Sequence, residues 1–204
     1  MSDSYHLEEL RIARNPGHPA HLLPPAMAPG ARVLDVGCGA GQTLLARYPD
    51  RLSFGLDIDL GALRLGRSWS GSVAFACGRA EALPYREEQF DLVVARVSLA
   101  YTDIRRSLKE IRRVLRPGGM LWMTLHPFSL CWRQALGANW KGWFFFAYVT
   151  ANGLSFHCFQ RQVALGGRQE SFQTEGGMRR ALRAAGFREV QVKHGVQFLI
   201  SAKV

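Results

Sequence analysis

"VLDVGCGAGQTLL", residues 33–45, sets Gly37, Gly39 and Gly41 at alternate positions directly behind an apolar run that reads as a buried strand. Glycine collects where a backbone bends tightly or lets a ligand come close. A strand, a glycine bend and a helix start together mark the carboxyl edge of a parallel sheet, where open α/β sheets bind their ligands. The dinucleotide version of this bend is GxGxxG, with an acid about 20 residues on for the ribose. Here the spacing is GxGxG, and Asp35 stands at the strand end just before it. A carboxylate beside a pyrophosphate is repulsive, so a ligand carrying positive charge or amino groups suits the bend better.

The alternation continues in both directions. Strands are predicted at 32–36, 52–56, 72–76, 90–95, 119–125, 188–193 and 196–203, with helices at 41–48, 60–69, 103–115 and 175–185. Strands alternating with helices give a doubly wound α/β sheet with helices on both faces. In the 103–115 segment Ile104, Leu108, Ile111 and Leu115 form one apolar stripe, and the basic residues lie off it. "RPGG" at 116–119 is predicted to stop that helix. Residues 1–30 read as a short amphipathic helix and a Pro/Gly/His-rich connector ahead of a domain at 31–204. Residues 127–172 break the rhythm and hold half of the chain's 22 aromatic residues. That insertion is expected to act as a lid over substrate; an apolar pocket or the interface of a homodimer would each account for the rings.

Composition narrows the class. A chain of 204 residues, 48% hydrophobic and 21% charged, can bury one ordinary globular core. No apolar run approaches the roughly 20 residues of a membrane span, and the N-terminus lacks the apolar core of a secretory signal. The four cysteines are widely spaced and form no CxxC pair, so neither a disulfide framework nor a metal site is expected, and a cytoplasmic location fits. A net charge of +10 raises the question of nucleic acid. The basic residues are 22 Arg and only 4 Lys, spread without a block of like charge, so a solvated basic surface is preferred.

Five stretches, "VLDVGCGAG", "GLDID", "GRAEALPYREEQFDLVVA", "EIRRVLRPGGMLWMTL" and "LRAAGFREVQV", follow one another in this order. Together they resemble the class I S-adenosylmethionine-dependent methyltransferases over residues 31–204. The resemblance implies a Rossmann-like sheet of seven strands with the last antiparallel. It also implies that Gly37 and Gly39 admit the methionine part of S-adenosylmethionine, with Asp35 near its amino end. Asp57 would accept from both ribose hydroxyls, as a carboxylate can, with Asp59 as the competing acid, and Ile58 would lie against the adenine. Where many relatives carry an acid before Ala80, this chain has Arg79, which has donors only. Glu81 or a backbone carbonyl would then take the adenine amino group, or Arg79 would stack on the base. Arg96 and Val97 would border the sulfonium, with Arg96 alternatively turned toward substrate or left on the surface.

With a reactive methyl supplied by the cofactor, the protein's task is alignment and exclusion of water. Where the acceptor needs deprotonating, His126 in "TLHPF" and Tyr101 in "SLAYTD" are the candidate bases; His157 and His194 are weaker ones. The "NPPY" or "DPPY" motif of base amino methylation is absent, as is a "PC" nucleophile. The expected activity is methyl transfer to oxygen or nitrogen of a small molecule. The alternatives are an RNA or protein methyltransferase and a cofactor-binding module without catalysis, with a nicotinamide oxidoreductase further behind.

Overall fold

The computed structural model describes residues 2–49, 51–125, 128, 131–132, 136, 139–165, 169–195 and 198–204. Seven strands, β1 (Val33–Val36), β2 (Ser53–Asp57), β3 (Val73–Cys77), β4 (Phe90–Arg96), β5 (Leu115–Leu125), β6 (Arg188–Lys193) and β7 (Phe198–Lys203), form one sheet. Its order is β3-β2-β1-β4-β5-β7-β6. The first five pair with one another in parallel, and β7 runs antiparallel to both β5 and β6. All four β1 residues are buried, as a central strand covered on both faces requires. The order reverses between β1 and β4, so the bend after β1 opens at the switch point.

Accompanying the sheet are the helices α1 (Asp3–Arg14), α2 (Gln42–Arg47), α3 (Leu60–Trp69), α4 (Ile104–Val114), α5 (Trp140–Phe159) and α6 (Glu175–Ala184). In α4 three members of the apolar stripe, Ile104, Leu108 and Ile111, are wholly buried, while the fourth, Leu115, is buried as the first residue of β5. Asp103 caps it by accepting from the Arg106 N–H at 3.1 Å.

One boundary differs from the sequence reading. RPGG does not separate α4 from a strand at 119; Leu115 already pairs with Phe90, and the next β4 partner, Leu92, pairs with Met120. Residues 116–119 therefore bulge out opposite Asp91. Gly118 takes φ +77°, and Arg116 Nη1 reaches Asp91 Oδ1 at 2.9 Å. The glycine pair lets the strand bend outward and resume rather than end.

The aromatic insertion contains α5, a 20-residue helix that no periodic stripe announces. Val149, Gly153 and Phe156 face inward while Trp140, Phe144 and Phe159 are exposed, so apolar side chains lie on every side of it. Buried Asn152 fixes the chain's return: its Nδ2 donates to the Val163 and Glu170 carbonyls, and its Oδ1 accepts from the Val163 N–H. Among the described residues no helix is long and apolar enough to cross a membrane.

Candidate active site

The glycine bend is shaped first by the protein's own packing. Gly37 and Gly39 adopt φ of +78° and +55°, the left-handed region that side chains resist. A methyl group on Gly37 would lie 2.2 Å from Ser98 Cβ, and one on Gly39 would lie 3.3 Å from His6 Cε1. The N–H groups of Gly37 and Cys38 donate to the Leu56 carbonyl at 2.7 and 3.0 Å, and Gly39 N–H donates to Asp57 Oδ2 at 2.8 Å. Three consecutive donors are thus committed to β2. A pyrophosphate cradle needs such donors free, which counts against the nicotinamide reading.

Two acids at the end of β2 separate by their partners. Asp59 is the N-cap of α3, accepting from the Gly61 and Ala62 N–H groups at 2.9 and 3.2 Å. Those bonds, the one from Ala62 foremost, hold its carboxyl below the usual range. Asp57 instead faces the bend, where Oδ2 holds Gly39 and Oδ1 accepts from the Asp59 N–H at 2.9 Å. Each oxygen keeps capacity for a second donor, such as a ligand hydroxyl.

Asp35 is 2% exposed, and its Oδ1 has no partner among the described residues. Burial pushes its pKa up to about 7, against the pull of Arg96 and with reinforcement from Asp57. An acid whose pKa rises on folding binds its proton more tightly in the native chain, so its contribution to stability falls as pH climbs from 3.8 to about 7. Chemical denaturation across that range is expected to show wild type losing stability relative to Asp35→Asn; parallel curves would mean that Asp35 titrates normally.

The other nominated residues divide into two groups. Ile58 is 69% exposed beside Asp57, and its carbonyl lies 3.8 Å from Cys77 Sγ. Ala80 is buried, and Val97 holds φ +64°, a strained value for a β-branched residue. Arg79 does not stand alone: its Nε lies 3.6 Å from Glu81 Oε2, while Glu81 Oε1 accepts from the Asp103 N–H. Arg79, Glu81 and Tyr101 line one cleft of about 190 Å³ together with Asp103, Arg106, Ala164 and Gln169. Burial, then the Glu170 charge, raises the Tyr101 phenol above its ordinary value, so it stays protonated at neutral pH. That makes it a poor base and a good hydrogen-bonding group.

Arg96 neither lies on the surface nor points freely at a substrate. Its Nη2 meets Glu9 of α1 at 3.2 Å, with the Arg96 side chain 14% exposed. His126 lies outside the described residues. His157 Nδ1 is 2.6 Å from Thr174 Oγ1, and His194 Nε2 is 2.7 Å from Glu175 Oε2, which gives both rings partners beside α6. The contribution of α1 is the element that sequence reasoning missed: His6, Glu9 and their partners carry no motif, and only an amphipathic pattern marks the helix.

The sequence profile of the family described as "Methyltransferase domain" matches residues 34–123. The chain is 35% identical over 130 residues to the malonyl-[acyl-carrier protein] O-methyltransferase of Methylococcus capsulatus, covering 57% of this chain and 46% of that protein. It is 38% identical over 116 residues to the demethylmenaquinone methyltransferase of Renibacterium salmoninarum, covering 53% and 49%. The chain thus spans about half the length of these curated relatives. Among solved structures, an S-adenosylmethionine-dependent methyltransferase from Mesorhizobium loti superposes with a TM-score of 0.64 at 17% identity, over 89% of this chain and 94% of that one. This last likeness concerns the fold.

Proposed function

We propose that this chain is a class I S-adenosylmethionine-dependent methyltransferase that methylates an oxygen or nitrogen of a small molecule, a reading supported by the methyltransferase profile over residues 34–123. The bend suits the cofactor by its chemistry. A buried carboxylate oxygen with no donor among the described residues suits a cation at Asp35, and Asp57 keeps lone pairs for two hydroxyls. Asp35 would hold the amino end, Asp57 the ribose, Ile58 and Ala80 the adenine faces, and Gly37, Gly39 and Val97 the backbone around them. When bound, S-adenosylmethionine supplies a methyl group on a positively charged sulfur, already primed for transfer.

What remains for this chain is to bind and orient the acceptor and to keep water out. The cleft of Arg79, Glu81, Tyr101 and Asp103 carries this reading, because it lies beyond β3 and β4 at the same carboxyl edge as the bend. Its volume of about 190 Å³ and its mixed charges suit a compact polar acceptor, with Tyr101 as the neutral group that orients it. Arg79 and Glu81, paired with each other, serve the acceptor as well as the adenine edge. His126, which follows β5 in the sequence, is the remaining candidate base. The exposed rings of α5 support a lid over the acceptor or a homodimer contact. Four free cysteines accord with the cytoplasm.

The test uses cofactor labelled in its methyl group, offered with a metabolite extract, total RNA and a protein lysate in parallel. Label is expected in the small-molecule fraction, at a rate insensitive to added salt. Label in RNA, with a steep salt dependence, would replace this reading with the one that the +10 charge favours. Tight cofactor binding without transfer to any fraction would favour a binding module.

A further inference from the structure

The helix α1 lies on the glycine bend. Its His6 is 3% exposed, and Ala13, seven residues on along the same face, is 2% exposed. Glu9, between them on that face, holds Arg96 from the end of β4. The imidazole edge rests on Gly39, whose added methyl would meet Cε1 at 3.3 Å and Nδ1 at 3.4 Å. Nε2, bonded to that same Cε1, therefore lies at the bend too.

The hydrogen bonds favour one tautomer. Gln42 Nε2 lies 2.8 Å from His6 Nδ1 and 3.4 Å from the His6 carbonyl oxygen. A carbonyl can only accept, so the Gln42 atom facing both groups is the amide nitrogen, and Nδ1 accepts from it. The neutral ring then carries its hydrogen on Nε2. That nitrogen is buried and has no partner among the described residues. A buried donor left without an acceptor is unfavourable. Asp35 Oδ1, four residues before Gly39, is the matching orphan acceptor. One unpaired donor and one unpaired acceptor at a single bend are complementary to an amino-acid zwitterion.

We propose that His6 is a binding residue for the cofactor's amino-acid end, donating Nε2–H to its carboxylate while Asp35 takes the ammonium. This makes α1 part of the site rather than an appendage to the domain, with the Arg96–Glu9 pair fastening the helix over the bend. The inference rests on the cofactor assignment above.

Calorimetry on the full chain tests it with two ligands, S-adenosylhomocysteine, which carries the carboxylate, and 5′-methylthioadenosine, which lacks the whole amino-acid end. His6→Ala is expected to weaken the first at least about tenfold, about the worth of one hydrogen bond to a charged group, and to leave the second within about twofold. His6→Gln, which can place an amide donor there, is expected to recover part of the loss. Equal losses for both ligands would reduce His6 to packing, and unchanged affinity for S-adenosylhomocysteine would remove it from the site; either overturns the proposal. If wild type binds neither ligand, the cofactor assignment itself fails, and the proposal falls with it.

Discussion

Asp57→Ala is expected to weaken S-adenosylmethionine binding by about tenfold to a hundredfold. A hydrogen bond to a charged group is worth about 1.5–3 kcal/mol, and this carboxylate has room for two from the ribose. It also accepts from the Gly39 and Asp59 N–H groups, so its removal leaves two backbone donors unpaired and loosens the bend itself. Asp59→Ala is the control. It removes a helix cap, costing about 1 kcal/mol of stability, but leaves the ribose acceptor in place and should alter affinity far less. Calorimetric titration of both variants decides the matter: unchanged affinity in Asp57→Ala, or equal losses in the two, would take Asp57 out of the ribose role.

Gly37→Ala is expected to produce the largest loss of stability. Forcing an L-residue to φ +78° costs about 1–2 kcal/mol. The new methyl would also sit 2.2 Å from Ser98 Cβ, a backbone-anchored atom that cannot swing away. Overpacking of that kind adds about 1–3 kcal/mol. The sum, roughly 3 kcal/mol, corresponds to a fall of roughly 6–12 °C in melting temperature for a domain of this size. Adding Ser98→Gly should return the steric part but not the conformational part, although it also removes the Ser98 hydroxyl's bond to the Val36 carbonyl. A thermal melt of Gly37→Ala that overlays wild type would show the bend to be far more pliable than its geometry indicates.

The parts of this molecule legible in its sequence are those encoded by neighbours along the chain. The period of α4, the alternation of strands with helices, and the placing of Asp35 and Asp57 at the ends of β1 and β2 are local patterns. The reason for the glycines was only half legible. Their left-handed conformation follows from spacing, but Ser98 and His6, which crowd them, arrive from 61 positions downstream and 33 upstream. Arg96 could be read as a group facing substrate because its partner, Glu9, lies far upstream in α1. The helix α5 was hidden for another reason: with apolar residues on every side, it has no stripe to detect.

The order of the sheet has a consequence for biosynthesis. β7 follows β6 in the chain yet lies between β5 and β6, so on the ribosome the long β5 waits with one flank unpaired until residues 198–203 have been made. Residues 188–193 have nothing to join until then. A nascent chain stalled anywhere before that point would expose an adhesive strand edge.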